Sequence, residues 1–312
     1  MMRSIVNRLL SLSLFTLLIT FSCFVLLRLL PGDPVLTLLN IDELSATPEQ
    51  IEAARRELGY DQPMLVQYVR WLQDILTLRL GNSLQTGRPV IEMLQESYLV
   101  TAELALGGLT ITLLIALPLG VGSALTTRQS VVRLAHLVSM SGAAVPGFWI
   151  GLLLVDLFAV RLGLLPVMGR EGMTSLILPA LSLGFPLASV YIPLIRLNLR
   201  RELNQPYIEL ARMRGISERT ILWRYALRGS LPPVLSVFGL TLGSLAGGVV
   251  VLEVLFAYPG VGKLMVDAIL QRDYPLIQGY ILLTTGIILV LHQGIRSLNR
   301  TLRPDWQKGT HT

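Results

Sequence analysis

The chain has 312 residues, of which 52% are hydrophobic and 15% are charged, whereas roughly 25% of the residues in an ordinary soluble domain are charged. This composition argues against a soluble enzyme. The single cysteine, Cys23, excludes a disulfide framework, and the three histidines are not spaced as zinc ligands. A net charge of +6 would suggest nucleic acid as the partner of a soluble protein, but the positions of these charges favour a membrane protein that binds no nucleic acid.

Blocks of about 20 apolar residues, the length at which a helix crosses a bilayer, predict six transmembrane helices. They lie near 9–30, 100–125, 134–160, 175–196, 233–256 and 276–296. Prolines and glycines interrupt the third and fourth blocks, and such breaks are tolerated where neighbouring helices or water satisfy the freed backbone groups. The sequence therefore predicts an all-α membrane protein whose third and fourth spans pack against protein. The kinks expected in these two spans could serve transport or have no role in it.

Both termini are predicted to be cytoplasmic, because cytoplasmic segments of membrane proteins are rich in Lys and Arg. Sixteen of the 26 basic residues, but only four acidic ones, lie in the segments 1–8, 126–133, 196–232 and 296–312. The segment 31–96, which this orientation places outside, has ten acidic residues and five arginines. The charge pattern thus predicts a multi-pass protein with the segment 31–96 on the outer side of the membrane.

This outer segment is predicted to be folded. Thr47 is a capping residue, Pro48 stands at the first helical position and Gln50 at the capping-box position, so a helix is expected to run to Leu58. A second amphipathic helix is expected over 66–78. The segment could hand over a substrate, dock a binding protein or act as a structural cap.

Catalytic motifs are absent from the sequence. There is no H-E-x-x-H, no G-x-S-x-G and no acidic metal-binding loop, so no catalytic or metal-binding residue is assigned and the chain is not predicted to be an enzyme. The stretch 259–264 looks like part of a phosphate-binding loop, but Ala257 and Leu264 stand where that loop needs Gly and Ser or Thr. If transport uses ATP, another chain binds it.

Two further features of the spans are candidates for function. Asp156 is the deepest of the few ionisable residues in the predicted spans, and it could belong to a transport path or form a structural polar contact between helices. Gly239, Gly243 and Gly247 stand at every fourth position, which lets two helix backbones approach closely. We predict a helix interface there, within the bundle or with a partner subunit.

The loop 198–233 carries the most informative pattern. Two short helices separated by Gly215 fit it, with Ser217 as the cap of the second helix and an apolar side that includes Ile221 and Tyr225. Its many arginines suit a basic amphipathic helix on anionic lipid. A loop that docks a protein is a second interpretation of the same residues.

The pattern Glu209-x-Ala211-x-x-x-Gly215, followed 18 residues later by Pro233, resembles the EAA loop of ABC importer permeases. Matching segments in the same order include Leu29–Pro34, Leu58–Pro63, Pro146–Trp149, Phe256–Gly262 and Arg272–Pro275. Together they make the chain similar to the dipeptide, oligopeptide and nickel branch of these permeases over nearly its whole length. Tyr225 and Gly229 depart from the family, which often has His and Asn there.

The resemblance implies a type I importer permease fold with six transmembrane helices. The expected parts are a first helix in 1–30, an outer segment 31–99 and a permease core 100–312, with the coupling loop 198–233 and an outer loop 257–275. Coupling to an ATPase is implied for a set of loop residues, namely Glu209, Ala211, Arg212, Arg214, Gly215, Ile221 and Pro233. Phe148 and Trp149 are assigned with Asp156 to the translocation path.

The implied partners are a second homologous permease subunit, two cytoplasmic ABC ATPases, an extracytoplasmic substrate-binding protein and membrane lipid. ATP and magnesium would be used by the ATPases, so no cofactor is expected on this chain, and the implied location is a bacterial inner membrane. The substrate would be nickel, a metal chelate or a short peptide, and the outer segment around 47–49 and 78–81 resembles nickel members slightly more. Composition alone leaves an ion-coupled carrier or a non-transport scaffold as alternatives.

Overall fold

The computed structural model describes residues 47–57, 59, 61–77, 79–246 and 249–302, together with six helical residues between 18 and 25. The helices are α1 (Pro48–Glu57), α2 (Met64–Leu76), α3 (Val90–Leu125), α4 (Gln129–Ala144), α5 (Gly147–Leu154), α6 (Thr174–Leu203), α7 (Pro206–Met213), α8 (Glu218–Ala246), α9 (Val250–Leu255), α10 (Val261–Leu270) and α11 (Tyr274–Leu302). These described ranges contain no β-strand beyond an isolated bridge between Asn82 and Pro89. The predicted all-α class is confirmed for this part of the chain.

Four helices, α3, α6, α8 and α11, are long and apolar enough to cross a membrane. A fifth crossing results if α4 and the helix over Gly147–Arg161, which meet at a bend of 99°, form one span. The span predicted over 9–30 and the start of the outer segment at 31–46 lie mostly or wholly outside the described residues. The six-helix count therefore stays a prediction.

The bounds of two predicted spans, the second and the fifth, were wrong. Helix α3 begins at Val90 rather than near 100 and has 36 residues, which at 1.5 Å per residue is about 54 Å, well beyond the ~30 Å hydrocarbon layer. The third span, in contrast, breaks into two helices where the sequence predicted an interruption, because Pro146 has an extended backbone and cannot continue α4. The fifth span starts 15 residues early, at Glu218, and ends at Ala246.

Chain contacts define two compact units, one of which comprises the described parts of 1–98 and 264–286. In this unit the capping box of α1 is formed as predicted, since Thr47 N–H donates to Gln50 Oε1 at 3.2 Å and Gln50 N–H to Thr47 Oγ1 at 3.4 Å. The predicted amphipathic helix is α2, whose Tyr68 ring contacts Phe21 and Phe24 edge-on. The described part of the segment 47–98 thus contains the two predicted helices, and its place outside the membrane stays a prediction.

The second unit comprises the described parts of 99–263 and 287–312. Helix α6 lies at the centre of this unit. Of its apolar 18-residue stretch 61% is buried, whereas the corresponding stretches of the other three long helices are 22–33% buried. Its prolines, Pro179, Pro186 and Pro193, lie inside the helix, and Thr112 of α3 donates to the carbonyl of Gly184 at 3.1 Å. The prediction that this kinked span packs against protein is confirmed.

Candidate coupling hairpin and path face

Residues 206–226, which we call the coupling hairpin, comprise α7 and the first turns of α8. Helix α7 ends in a Schellman motif, in which Gly215 N–H donates to Arg212 O at 2.9 Å and Ile216 N–H to Ala211 O at 3.2 Å. Gly215 has φ of +76°, a conformation that costs a residue with a Cβ energy and that glycine adopts freely. The side chain of Ser217 then caps α8 by accepting from Thr220 N–H at 3.4 Å. The predicted pair of helices, with its glycine break and serine cap, is confirmed.

A small apolar core holds the two arms of the hairpin together. Ile208 and Ala211 of α7 are buried against Ile221 of α8, with Tyr207 and Ile216 packed around them. Ala211 is 6% exposed. The structure thus brings together Ala211 and Ile221, which the sequence had singled out, and adds Ile208, whose three-residue spacing from Ala211 was an available signal.

The opposite side of the hairpin exposes large apolar side chains. Met213 is 79% exposed, Trp223 66% and Leu210 47%, and Glu209 lies exposed beside them. Met213 and Trp223 were missed at the sequence level, although they fall on the face away from Ile208. Several exposed apolar side chains on one side of a hairpin mark an interaction site for protein or membrane.

The charged residues of the hairpin are exposed. Arg212 forms an ion pair with Glu218, with Nε and Oε1 2.8 Å apart, and this hydrogen bond raises the pKa of the Arg212 guanidinium. Arg214 is exposed at the end of α7. Pro233 lies in α8 beyond the hairpin, where it lines a cavity described below. Arg212 therefore already has an internal partner, which the sequence could not show.

The three residues assigned to the path, Phe148, Trp149 and Asp156, lie on one exposed side of the helix that α5 starts, which we call the path face. Residues 155–161 continue α5 as a π-helical turn, an irregularity often found at functional sites. In this turn Arg161 Nε donates to Asp156 Oδ2 at 2.8 Å, and both side chains are more than half exposed. Asp156, which the sequence singled out as the deepest ionisable residue of the predicted spans, lies five residues from the end of this helix, where Arg161 can reach it.

The sequence matches the family model of the binding-protein-dependent transport system inner membrane component over residues 116–308, and the N-terminal model of the same family over 1–105. The chain belongs to this permease family. A glutathione transport system permease protein, GsiC of Salmonella paratyphi A, is 32% identical over 304 residues, which cover 97% of this chain and 98% of that protein. The nickel import system permease protein NikB of Staphylococcus aureus is 32% identical over 290 residues, which cover 93% and 87%.

A solved structure of the MetNI methionine ABC transporter in an inward-facing conformation shows the same fold. Its chain aligns with a TM-score of 0.54 at 16% identity, and the alignment covers 69% of this chain and 99% of that chain. The permease is therefore an inner-membrane transport component, and the predicted resemblance to ABC importer permeases of the peptide and nickel branch is confirmed.

The glycine ladder of the permease is an interface within the second unit. A Cβ placed on Gly239 would lie 2.9 Å from Cγ2 of Ile295, and one on Gly243 would lie 3.5 Å from the His292 ring. Both glycines are buried on α8 against α11. Gly247 lies outside the described residues.

A buried carboxylate of the permease was not recognised as a site from the sequence. Glu253 of α9 is fully buried and accepts hydrogen bonds from Thr101 Oγ1 at 2.7 Å and from Lys263 N–H at 2.9 Å. The Thr101 hydroxyl in turn accepts from Val261 N–H at 2.8 Å. This carboxylate network joins α3, α9 and the start of α10, which positions the 256–263 turn.

A second carboxylate lies on the same part of α3. Glu103 accepts two hydrogen bonds from Arg170, at 2.9 and 2.6 Å, and one from the Tyr258 hydroxyl at 3.1 Å. Burial raises the pKa of Tyr258 to about 12, and the bond to Glu103 acts in the same direction. Tyr258 therefore stays protonated and remains a donor at physiological pH.

Proposed function

We propose that the chain is one of two non-identical permease subunits of an ATP-driven importer in a bacterial inner membrane, with both termini in the cytoplasm. Two cytoplasmic ATPases would bind and hydrolyse ATP with magnesium, and a binding protein outside would deliver the substrate. The coupling hairpin carries this proposal, since it is a compact docking element joined without a break to a membrane-spanning helix. Helix α8 extends over 29 residues from the hairpin to Ala246.

A docking element has to be stiff to transmit motion, because a soft one would absorb it. The hairpin meets this requirement through the Schellman motif at Gly215, the Ser217 cap and the buried contact of Ile208 with Ile221. Closure of an ATPase against the hairpin would therefore displace α8 with it. An ion-coupled carrier needs no such element.

Protein, rather than lipid, is the partner that we propose for the exposed apolar side of the hairpin. Met213 and Trp223 are large, flat or flexible side chains of the kind that dominate protein interfaces. Both are more than 60% exposed. The basic residues nearby would suit a lipid surface as well, so the test has to separate the two partners.

The test uses a tagged permease purified in mild detergent with its associated subunits. The variant Met213→Ala with Trp223→Ala should lose the ATPases and ATP-driven uptake while it keeps the second permease subunit. The matched control, Leu197→Ala with Leu240→Ala, removes two equally exposed apolar side chains from α6 and α8 and should keep the ATPases. Retention of both ATPases and of normal uptake by the hairpin variant would exclude docking through this side. Loss of uptake with both ATPases retained would point to lipid as the partner of this side.

The path face is the part of the translocation path that we propose for this subunit. An exposed charged pair on a spanning helix is costly against lipid, so Asp156 and Arg161 are expected to face water or the second permease. Phe148 and Trp149 on the same side would give the path an apolar wall. Asp156→Asn should lower uptake without loss of the ATPases from the complex.

We propose that the substrate is a short peptide, nickel or a nickel chelate. A relative named for glutathione transport and another named for nickel import each align over nearly the whole chain. The exposed pair on the path face offers both signs of charge, which suits a zwitterionic peptide. Vesicles that contain the complete importer should take up labelled glutathione or dipeptide, or radioactive nickel, only with ATP. Uptake that persists without the ATPases and collapses with an ionophore would instead establish a carrier.

A further inference from the structure

A buried carboxylate lies where the coupling hairpin joins the two long helices beside it. Glu202 is the second-last residue of α6, Tyr207 the second residue of α7, and Gly229 belongs to the first turn of the regular part of α8. Glu202 is only 7% exposed. The Tyr207 hydroxyl donates a hydrogen bond to the Glu202 carboxylate, so this carboxylate joins α6 to the first turn of the hairpin.

The Glu202 side chain occupies space that a side chain at position 229 would need. A Cβ placed on Gly229 would lie 2.8 Å from Cγ of Glu202 and still closer to its carboxylate. Cβ atoms are not found this close to a neighbour, so one of the two groups would have to move. Glu202 can therefore reach Tyr207 only because residue 229 has no side chain.

A cavity beside Glu202 offers space into which its side chain can move if residue 229 is larger than glycine. It has a volume of about 350 Å³, and its lining includes Asn198, Arg201, Glu202 and Gly229. A displaced Glu202 side chain can turn into this polar space without entering the apolar core. A side chain at 229 should thus break the contact between Glu202 and Tyr207 and leave the fold intact.

Tyr207 is suited to act as a permanent donor in this contact. Burial raises the pKa of its phenol, and the hydrogen bond and charge of Glu202 raise it further. The phenol therefore stays protonated far above neutral pH. The backbone link between α6 and α7 is only the two residues 204 and 205, so the side-chain contact constrains the angle at which α7 leaves α6.

We propose that Glu202 is a positioning residue for ATP coupling, that it holds α7 at its docking angle through the Tyr207 hydroxyl, and that Gly229 provides the space for it. The inference rests on the proposed docking of an ATPase to the hairpin. Without the contact α7 would still form and pack on α8, but its angle to α6 would vary. ATP hydrolysis would then continue with less uptake for each ATP consumed.

The functional test measures uptake per ATP hydrolysed in vesicles that contain the complete importer. Tyr207→Phe removes only the hydroxyl, and Gly229→Ala displaces Glu202; each should lower this ratio about tenfold, the effect expected for a lost hydrogen bond to a charged group. Gly294→Ala is the matched control, since a Cβ there meets nothing within 4 Å, and it should keep the wild-type ratio. A wild-type ratio in Tyr207→Phe would overturn the proposal.

A double-mutant cycle tests the link between positions 202 and 229. Glu202→Ala removes the group with which a side chain at 229 collides, so adding Gly229→Ala to it should cause no further loss, whereas Gly229→Ala alone costs about tenfold. Equal losses in both backgrounds would show that Gly229 acts independently of Glu202. All variants should be folded and hold both ATPases after purification.

A structural readout separates failure of this inference from failure of the proposed function. Spin labels on cysteines at Met213 and Leu197, exposed on α7 and α6, would report the angle between these helices in a chain whose Cys23 is replaced by serine. The distance distribution should broaden in Tyr207→Phe and Gly229→Ala but not in Gly294→Ala. If the distribution broadens but the wild type shows no ATP-driven uptake, the importer is refuted while the role of Glu202 in fixing the angle of α7 stands. An unchanged distribution would refute the role of Glu202.

Discussion

Gly215 gives the sharpest test of the coupling hairpin, because a substitution there changes the backbone energy without causing a steric clash. Its φ is +76°, and a Cβ placed on it would meet no atom within 4 Å. A substitution therefore collides with nothing, and its cost comes from the backbone alone. For an ordinary L-residue this cost is about 1–2 kcal/mol, and a β-branched residue is the least tolerant of a positive φ.

A cost of 1–2 kcal/mol changes the ratio of native to altered hairpins by a factor of roughly 5–30. The alternative open to Gly215→Val is to give up the Schellman motif, in which Gly215 and Ile216 donate to Arg212 and Ala211. The altered hairpin would lose its fixed angle between α7 and α8. We expect Gly215→Val to lose about four-fifths or more of ATP-driven uptake while the chain remains in the membrane.

Gly215→Asn is the matched control, because asparagine is the residue that adopts a positive φ most readily after glycine. It should keep most of the uptake. Limited trypsin digestion checks the cause, since cleavage after Arg212 and Arg214 should be faster in Gly215→Val only. Normal uptake by Gly215→Val, or equal losses in the two variants, would refute the argument from backbone conformation.

Three further predictions concern other parts of the molecule. Thr101→Val should lower the free energy of unfolding of the purified subunit by about 1–3 kcal/mol, because it leaves one oxygen of the buried Glu253 carboxylate without its donor and the Val261 N–H without its acceptor. Thr101→Ser should lose much less, and equal stabilities of the two variants would contradict this. Exchange of Asp156 and Arg161 should preserve their ion pair and the fold but not restore the uptake lost in Asp156→Asn, whereas full recovery would show that the pair is only structural. Arg272 has φ of +56°, so Arg272→Gly should unfold at no lower temperature than wild type and Arg272→Val should lose about 1 kcal/mol.

Local signals were sufficient to predict the parts of the fold in which neighbouring residues determine the structure. The Thr47–Gln50 capping box, the break at Gly215 and the Ser217 cap each depend on hydrogen bonds between residues three to five apart. Such motifs have the same geometry in any surroundings, so their residues identify them. The ordered motifs of the permease family added what local patterns cannot, namely the type of protein.

Long-range contacts account for most of what the sequence did not reveal. Thr101 and Glu253 are 152 positions apart, and no periodicity connects them. The buried Glu202 likewise stands among exposed arginines at the end of a helix, where a solvated carboxylate is the ordinary expectation. Prolines also misled the assignment of bounds, since Pro232 and Pro233 were taken as the end of a loop but lie inside α8. A membrane helix tolerates such prolines where other groups satisfy the carbonyls that they leave free.

The continuity of α8 also has a geometric consequence. Its 29 residues correspond to about 43 Å of helix at 1.5 Å per residue. If such a rod tilts by about 10° around its hairpin end, its far end at Ala246 travels roughly 7–8 Å, by the same rise per residue. That displacement is comparable to the diameter of a hydrated ion or the width of a dipeptide. Under the proposed docking, a small rotation at the ATPase would therefore be enough to open or close a path of this size.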